Sequence, residues 1–432
     1  MDTWYLLCFL SAIAILVAFA NQFFLNMQTT IAITAGAVVL SLLLILSGKV
    51  LGNQTAAAIS GMLGSVDFKS LLLEGMLGPL LFAGALEIDL RAMRKRRWEI
   101  TILVLFGTLA STFLVGLFLF WLLGWMGWAV PFIYCLLFGA LISPTDPIAV
   151  LAIIKQMKAP PSISIQVEGE SLFNDGVGLV VFTTIFALAF TSAEPTFGNV
   201  AELFLTEALG GIAFGMLLAL VGHFLLTKST DGNIRLLLTF CIPTAGFALA
   251  NIIGVSGALA MVVSGIFIGN VTRAKAASMG RLSSIRNIRN FWHAVEGVLN
   301  AFLFLLIGLL LVILPVTGQQ ILLGLLAIPA VLLARLISVS LPYAVFQRFR
   351  TYDKHSVLIL TWGGLRGGLA LAMAASIPSG QAYVNGVDLH ALILLITYIV
   401  VIFSIIVQGS SISPLIRGSI AAQADTQVAA EA

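Results

Sequence analysis

Ser143-Pro144-Thr145-Asp146-Pro147 stands inside an apolar run that extends from 130 to 154. The run is long enough to cross a bilayer, which takes about 20 apolar residues in helical form. Each proline removes a backbone donor and collides with the preceding turn. The expected structure is a helix that enters the membrane, unwinds and resumes. A second stretch of this kind, Thr361-Trp362-Gly363-Gly364-Leu365-Arg366-Gly367-Gly368, lies in the run 356–377, where four glycines weaken the helix. Unwound backbone at membrane depth is tolerated only where it is buried in protein or lines a cavity, so both breaks belong to the interior.

The composition around these stretches agrees with a membrane setting. Of 432 residues, 60% are hydrophobic and 9% charged, against roughly 25% charged in a soluble domain, and the mean hydropathy is +1.08. Apolar segments run at 4–24, 29–48, 70–90, 99–125, 130–154, 167–191, 203–227, 234–253, 256–271, 291–314, 320–346, 356–377 and 389–410, thirteen in all. The fold class is therefore an all-α membrane protein of about thirteen transmembrane helices. No Lys or Arg precedes the apolar start at Trp4, so the first segment reads as a retained helix and not as a signal peptide. Cys8, Cys135 and Cys241 are far apart, each in an apolar run, with no disulfide framework or metal spacing.

Charge in the loops orients the segments. Loops after odd-numbered segments hold eighteen of the 22 Lys and Arg residues. Arg91, Arg94, Lys95, Arg96 and Arg97 follow the third, Lys155 and Lys158 the fifth, and Arg273, Lys275, Arg281, Arg286 and Arg289 the ninth; Arg348, Arg350 and Lys354 follow the eleventh. Loops after even-numbered segments hold Lys49 and Lys69, while Arg335 and Arg366 fall inside segments. By the positive-inside rule the N-terminus is outside and the C-terminus cytoplasmic. The two breaks are seven segments apart, which makes segment 12 cross in the sense opposite to segment 5. This is the pattern of inverted six-helix repeats, segments 1–6 against 8–13 with segment 7 between, and paired broken helices in such repeats point to a transporter's binding site.

Charges inside hydrocarbon cost at least ~2.5 kcal/mol each on insertion scales and call for a partner or a role. Asp146, Glu170, Asp175, Glu296, Arg335 and Arg366 are the candidates. Ser171, Asn174 and Asp175, spaced i, i+3, i+4 at the expected start of segment 6, share one helical face. They offer a hydroxyl, an amide carbonyl and a carboxylate, hard oxygen ligands suited to an alkali cation. Thr145 and Asp146 add a hydroxyl, a carboxylate and freed carbonyls; Asp146 can equally cap the second half-helix. Glu170 is a natural partner for Arg335 or for Arg366, with Arg335 preferred because Arg366 can neutralise helix ends at the break. Asn300 either lines the path or bonds a neighbouring helix. Glu296 and His293 read as interfacial polar residues, and Pro243 and Asn251 as packing and kink features.

Ser143–Pro147, Glu170-Ser171-Leu172-Phe173-Asn174-Asp175-Gly176 and Thr361–Gly367, together with Val407-Gln408-Gly409, resemble the monovalent cation:proton antiporter-1 family, the sodium/proton exchangers of bacterial NhaP type. The resemblance covers essentially the whole chain. It implies the sodium/proton antiporter fold, with broken helices 5 and 12 crossing in the core. Asp175 would bind either a cation or a proton, and Ser171, Asn174, Asp146 and the Thr145 carbonyl would complete the monovalent cation site. Glu170 and Arg335 would form a structural ion pair, with Arg366 and Asn300 supporting the core. Residues 1–90 would be interface and dimerisation helices, 99–191 core helices, 203–314 a linker and further interface helices, 320–410 core helices again, and 411–432 a short cytoplasmic tail. Asn174 before Asp175 resembles the electroneutral branch. Many relatives carry a glutamate after Leu-Phe in helix 3, but here Leu81-Phe82 is followed by Ala83, which puts that residue's role in doubt for this chain.

The implied activity is exchange of a monovalent cation, Na⁺ foremost, for H⁺ in a bacterial inner membrane by a homodimer. No cofactor, no nucleic acid and no enzymatic chemistry is expected. Two other classes compete. A passive channel predicts flux far above carrier turnover with little proton coupling. A membrane sensor without flux predicts indifference to neutralising Asp175.

Overall fold

The computed structural model describes residues 3–51, 61, 67–157, 161–190, 196–314, 318–348 and 356–418. Lys158, Arg350, Lys354 and the tail from Ser419 lie outside the described residues. The chain runs through α1 (Thr3–Phe24), α2 (Thr29–Leu51), α3 (Ser70–Glu87), α4 (Arg97–Trp125), α5 (Phe132–Ile142), α6 (Ile148–Gln156), α7 (Pro161–Phe190) and α8 (Phe197–Lys228). It continues through α9 (Gly232–Ile253), α10 (Gly257–Ser278), α11 (Leu282–Leu309), α12 (Gly318–Phe346), α13 (Ser356–Trp362), α14 (Gly368–Ala375) and α15 (Leu389–Gly418).

Ten helices among the described residues are long and apolar enough to cross a membrane, against the thirteen spans expected. The other three expected spans fall on α1, an apolar helix of 22 residues, and on the broken pairs α5/α6 and α13/α14. Neither half of a broken pair has the length of a full crossing. Segment 9 is longer than expected, since α10 continues to Ser278. Segment 6 starts earlier, at Pro161, so Glu168–Gly176 occupies a middle stretch of α7 and not its start.

Outward faces carry bulky apolar side chains. Trp121 and Trp125 at the end of α4 are exposed, as are Phe9, Phe19 and Phe24 on α1. Tryptophan rings at helix ends, such as Trp121 and Trp125, suit the membrane interface. Small residues face inward, because association between helices in lipid depends on close packing. Gly265 and Gly269 on α10, four apart, lie directly against Phe82, Ala85 and Leu86 of α3; a Cβ on either would strike that backbone. Outside the span, Asp67 accepts from Ser70 N at 3.1 Å and Ser70 Oγ at 2.6 Å and so caps α3. The Ser70 side-chain bond, followed by its backbone bond, holds the Asp67 carboxyl below the usual range.

Between α14 and α15 a small hairpin, β1 (Tyr383–Val384) and β2 (Val387–Asp388), turns at Asn385-Gly386. Both turn residues have positive φ, 50° and 78°, as a tight two-residue hairpin requires. Asp388 then caps α15 by accepting from His390 N.

Candidate cation site at the crossing of two broken helices

The breaks meet as extended backbone. Asp146 N donates to Leu365 O at 2.8 Å, and the two residues form an antiparallel bridge. Breaking a helix exposes carbonyls at the end of the first half and N–H groups at the start of the second. At membrane depth each of these needs a partner, and the neighbouring side chains supply several.

Two buried arginines serve the carbonyl ends. Arg366 Nη1 donates to Ser143 O at 2.5 Å and Pro144 O at 3.0 Å, just past the end of α5. Arg335, from α12, donates through Nε and Nη2 to Leu360 O near the end of α13, at 3.3 and 3.1 Å. Its Nη1 meets Glu170 Oε1 at 2.5 Å, with both side chains almost fully buried. Each guanidinium thus places positive charge at the negative end of a half-helix. The π-helical turn Ser404–Gln408 of α15 completes the second break. Ser404 Oγ accepts from Arg366 N and donates to Gln408 Oε1, while Gln408 Nε2 donates to Trp362 O.

Asp146 sits at the N-terminal ends. Its Oδ1 accepts from Ile148 N at 2.9 Å, the first residue of α6. Its other oxygen faces Gly367, the N-cap of α14, so closely that a Cβ there would collide with the carboxylate. The capping reading and the ion-site reading of Asp146 are therefore compatible, one oxygen for each.

The α7 face Ser171–Asn174–Asp175 lies against this crossing. Asn174 Oδ1 accepts from Thr145 N at 3.1 Å and its Nδ2 donates to Thr145 Oγ1 at 2.8 Å. The Ser171 hydroxyl is 3.1 Å from Thr145 Oγ1. Both polar ends of the Asn174 amide are thus engaged with Thr145, so it clamps the unwound segment to α7. Asp175, the next residue, makes no hydrogen bond or ion pair among the described residues. Thr145, Ser171, Asn174, Glu170, Arg335 and Arg366 are all buried. Asp146 and Asp175 alone of this constellation are not fully buried.

Asn300 is 5% exposed and its Oδ1 has no hydrogen-bond partner among the described residues. Three residues further along α11, Leu303 packs against Gly368, so this face of α11 lies beside the start of α14. Glu296 and His293, also on α11, line a separate cavity. Glu207 of α8, an intramembrane carboxylate outside the candidates above, accepts from Thr183 Oγ1 of α7 at 2.6 Å. The rule applied to the other charges would have found it, since it falls within 203–227. No sequence signal marks Ser404 or the Ser143 carbonyl for their roles at the breaks.

Residues 38–418 match the transmembrane sodium/hydrogen exchanger family. The chain belongs to that family. It is 39% identical over 417 residues to the Na(+)/H(+) antiporter NhaP of Pseudomonas aeruginosa, covering 95% of this chain and 96% of the relative. It is 31% identical to the Na(+)/H(+) antiporter NhaH of Halobacillus dabanensis, covering 87% and 91%. Among solved structures, the sodium proton antiporter MjNhaP1 of Methanocaldococcus jannaschii superposes with a TM-score of 0.71 over 96% of this chain and 99% of that one, at 21% identity. The exchanger fold is thus common to both chains, and the family accounts for the multi-pass membrane architecture.

Proposed function

We propose that the chain is a secondary transporter, not a catalyst, that exchanges a monovalent cation, Na⁺ foremost, for H⁺. The observation that carries this reading is the contrast in accessibility at the crossing. Asp146 and Asp175 are partly exposed, while Thr145, Glu170, Ser171, Asn174, Arg335 and Arg366 around them are buried. Oxygen ligands suit alkali cations, and among the described residues Asp175 has no side-chain partner that a cation or proton would have to displace. One carboxylate can hold either ion but not both. If the core crosses readily only when that charge is neutralised, exchange follows from alternating access without a further coupling device. Asp146 and the Thr145 carbonyl complete the ligand set, with the Ser171 hydroxyl in reach; Asn174 contributes by fixing Thr145. A single cation for a single proton makes the exchange electroneutral.

The core helices move as a unit against the helices of 1–90 and 203–314, which also form the homodimer contact. The basic loops put the N-terminus outside and the C-terminus in the cytoplasm of a bacterial inner membrane. The names of the relatives support exchange of Na⁺ for H⁺. The test is fluorescence dequenching in everted vesicles with Na⁺, Li⁺ and K⁺ across a pH series. Wild type should collapse the proton gradient on cation addition and Asp175→Asn should not. Cation entry without proton exit would favour a channel instead.

A further inference from the structure

Away from the crossing, a cavity of about 180 Å³ opens among α3, α8, α9, α10 and α11. Four arginines line it: Arg235 of α9, Arg273 of α10, Arg281 before α11 and Arg289 on α11. Glu87 and Glu296 also line it, which leaves an excess of two positive charges with His293 neutral. No Asp or Glu occurs from Gly232 to Val295. The ion pair Glu170–Arg335 lies elsewhere, and among the described residues no salt bridge to these four guanidiniums is seen.

The site is built in advance. Arg235 donates through Nε and Nη2 to Ser229 O and Thr230 O at 3.2 and 2.8 Å, and is 8% exposed. Arg281 donates through Nη1 to Thr227 O and Ser229 O at 2.8 and 3.1 Å. Both are held on carbonyls at and just beyond the C-terminal end of α8, and each keeps further N–H groups for a ligand. Thr227, Thr272 and Ser284 add hydroxyls to the lining. Phe224 and Leu225 of α8, Val271 of α10 and Met279, each within three residues of a lining position in sequence, are exposed apolar side chains.

Fixed guanidinium forks match phosphate oxygens, and basic pockets between helices on the side of the positive loops suit anionic headgroups. We infer that this cavity binds the phosphate of an acidic phospholipid, with the acyl chains along the apolar wall. The inference needs the membrane setting alone and stands whether or not Asp175 carries exchange.

The test titrates delipidated full-length protein in detergent with dihexanoylphosphatidylglycerol, dihexanoylphosphatidylcholine and inorganic phosphate, reading the thermal unfolding midpoint. The glycerol lipid should raise the midpoint saturably. Arg273→Ala/Arg289→Ala should need at least about tenfold more of it, as expected for two lost charge-assisted contacts, while Arg94→Ala, outside the cavity, should respond as wild type. An unchanged response in the double variant would overturn the site. An equal shift with inorganic phosphate would overturn the lipid source. If the double variant does not fold, native mass spectrometry of the wild type decides. Retention of phosphatidylglycerol over phosphatidylethanolamine supports the site, and equal retention removes it.

Discussion

Asp146 and Leu365 join the two broken helices through a single backbone hydrogen bond of 2.8 Å. Everything else at the crossing serves the groups that this meeting of two half-helix pairs leaves exposed. Arginines take the carbonyl ends, Asp146 takes the start of α6, and Thr145 is held from α7. The approach also dictates Gly367, whose missing side chain makes room for the Asp146 carboxylate. Gly367→Ala should therefore displace that carboxylate, lower stability by about 1–3 kcal/mol through overpacking, and reduce exchange at least tenfold. Gly297→Ala on α11, where an added Cβ meets nothing, should be neutral or slightly stabilising. Thermal unfolding in detergent and vesicle exchange rates check both.

Arg366 holds two carbonyls with one nitrogen, and a further nitrogen, Nη2, is buried without a partner among the described residues. Arg366→Ala should leave the Ser143 and Pro144 carbonyls unpaired, at about 1–3 kcal/mol each. Arg366→Lys should recover part of that loss, since an ammonium brings the charge without the fork. Unfolding midpoints of the two variants should rank wild type, Lys, Ala.

The Glu170–Arg335 pair is buried on both sides. Removing one partner of a buried pair costs about 3–5 kcal/mol, because the other charge remains. Glu170→Gln should be destabilising on this scale, and Arg335→Met more so because it also frees the Leu360 carbonyl. In the double variant the loss should be smaller than the sum of the two singles. A double-mutant cycle on unfolding free energies measures the difference.

Asn174→Ala should release Thr145 N from α7 and leave Thr145 Oγ1 with the Ser171 hydroxyl as its remaining α7 contact. The unwound segment would lose its clamp while both carboxylates remain. The expected result is a raised apparent KM for the cation with a destabilisation of about 1–3 kcal/mol. An unchanged KM would mean that the Thr145 position is fixed by Ser171 alone.

Much of this was legible in the sequence because proline and glycine act locally. Pro144, Pro147 and the glycines of 363–368 mark the breaks, and helical spacing alone puts Ser171, Asn174 and Asp175 on one face. What the sequence could not provide were partners chosen by the fold. Arg366 and Ser143 are more than two hundred residues apart, and nothing local says that a guanidinium will meet that carbonyl. The Asn174 amide has the chemistry of a ligand, and only its bonds to Thr145 reveal a clamp. Span counting by length fails at α5/α6 and α13/α14 for the reason that makes them interesting. Glu207 lies within the apolar segment 203–227 and is as legible there as the other intramembrane charges.

The central claim is that cation and proton compete for Asp175. The most direct measurement is the apparent KM for Na⁺ of purified protein in proteoliposomes as a function of pH. Competition at one carboxylate predicts a KM that rises as pH falls, by up to about tenfold per pH unit, with the maximal rate unchanged and all exchange lost in Asp175→Asn. A KM independent of pH, or pH-driven exchange that survives Asp175→Asn, would contradict it.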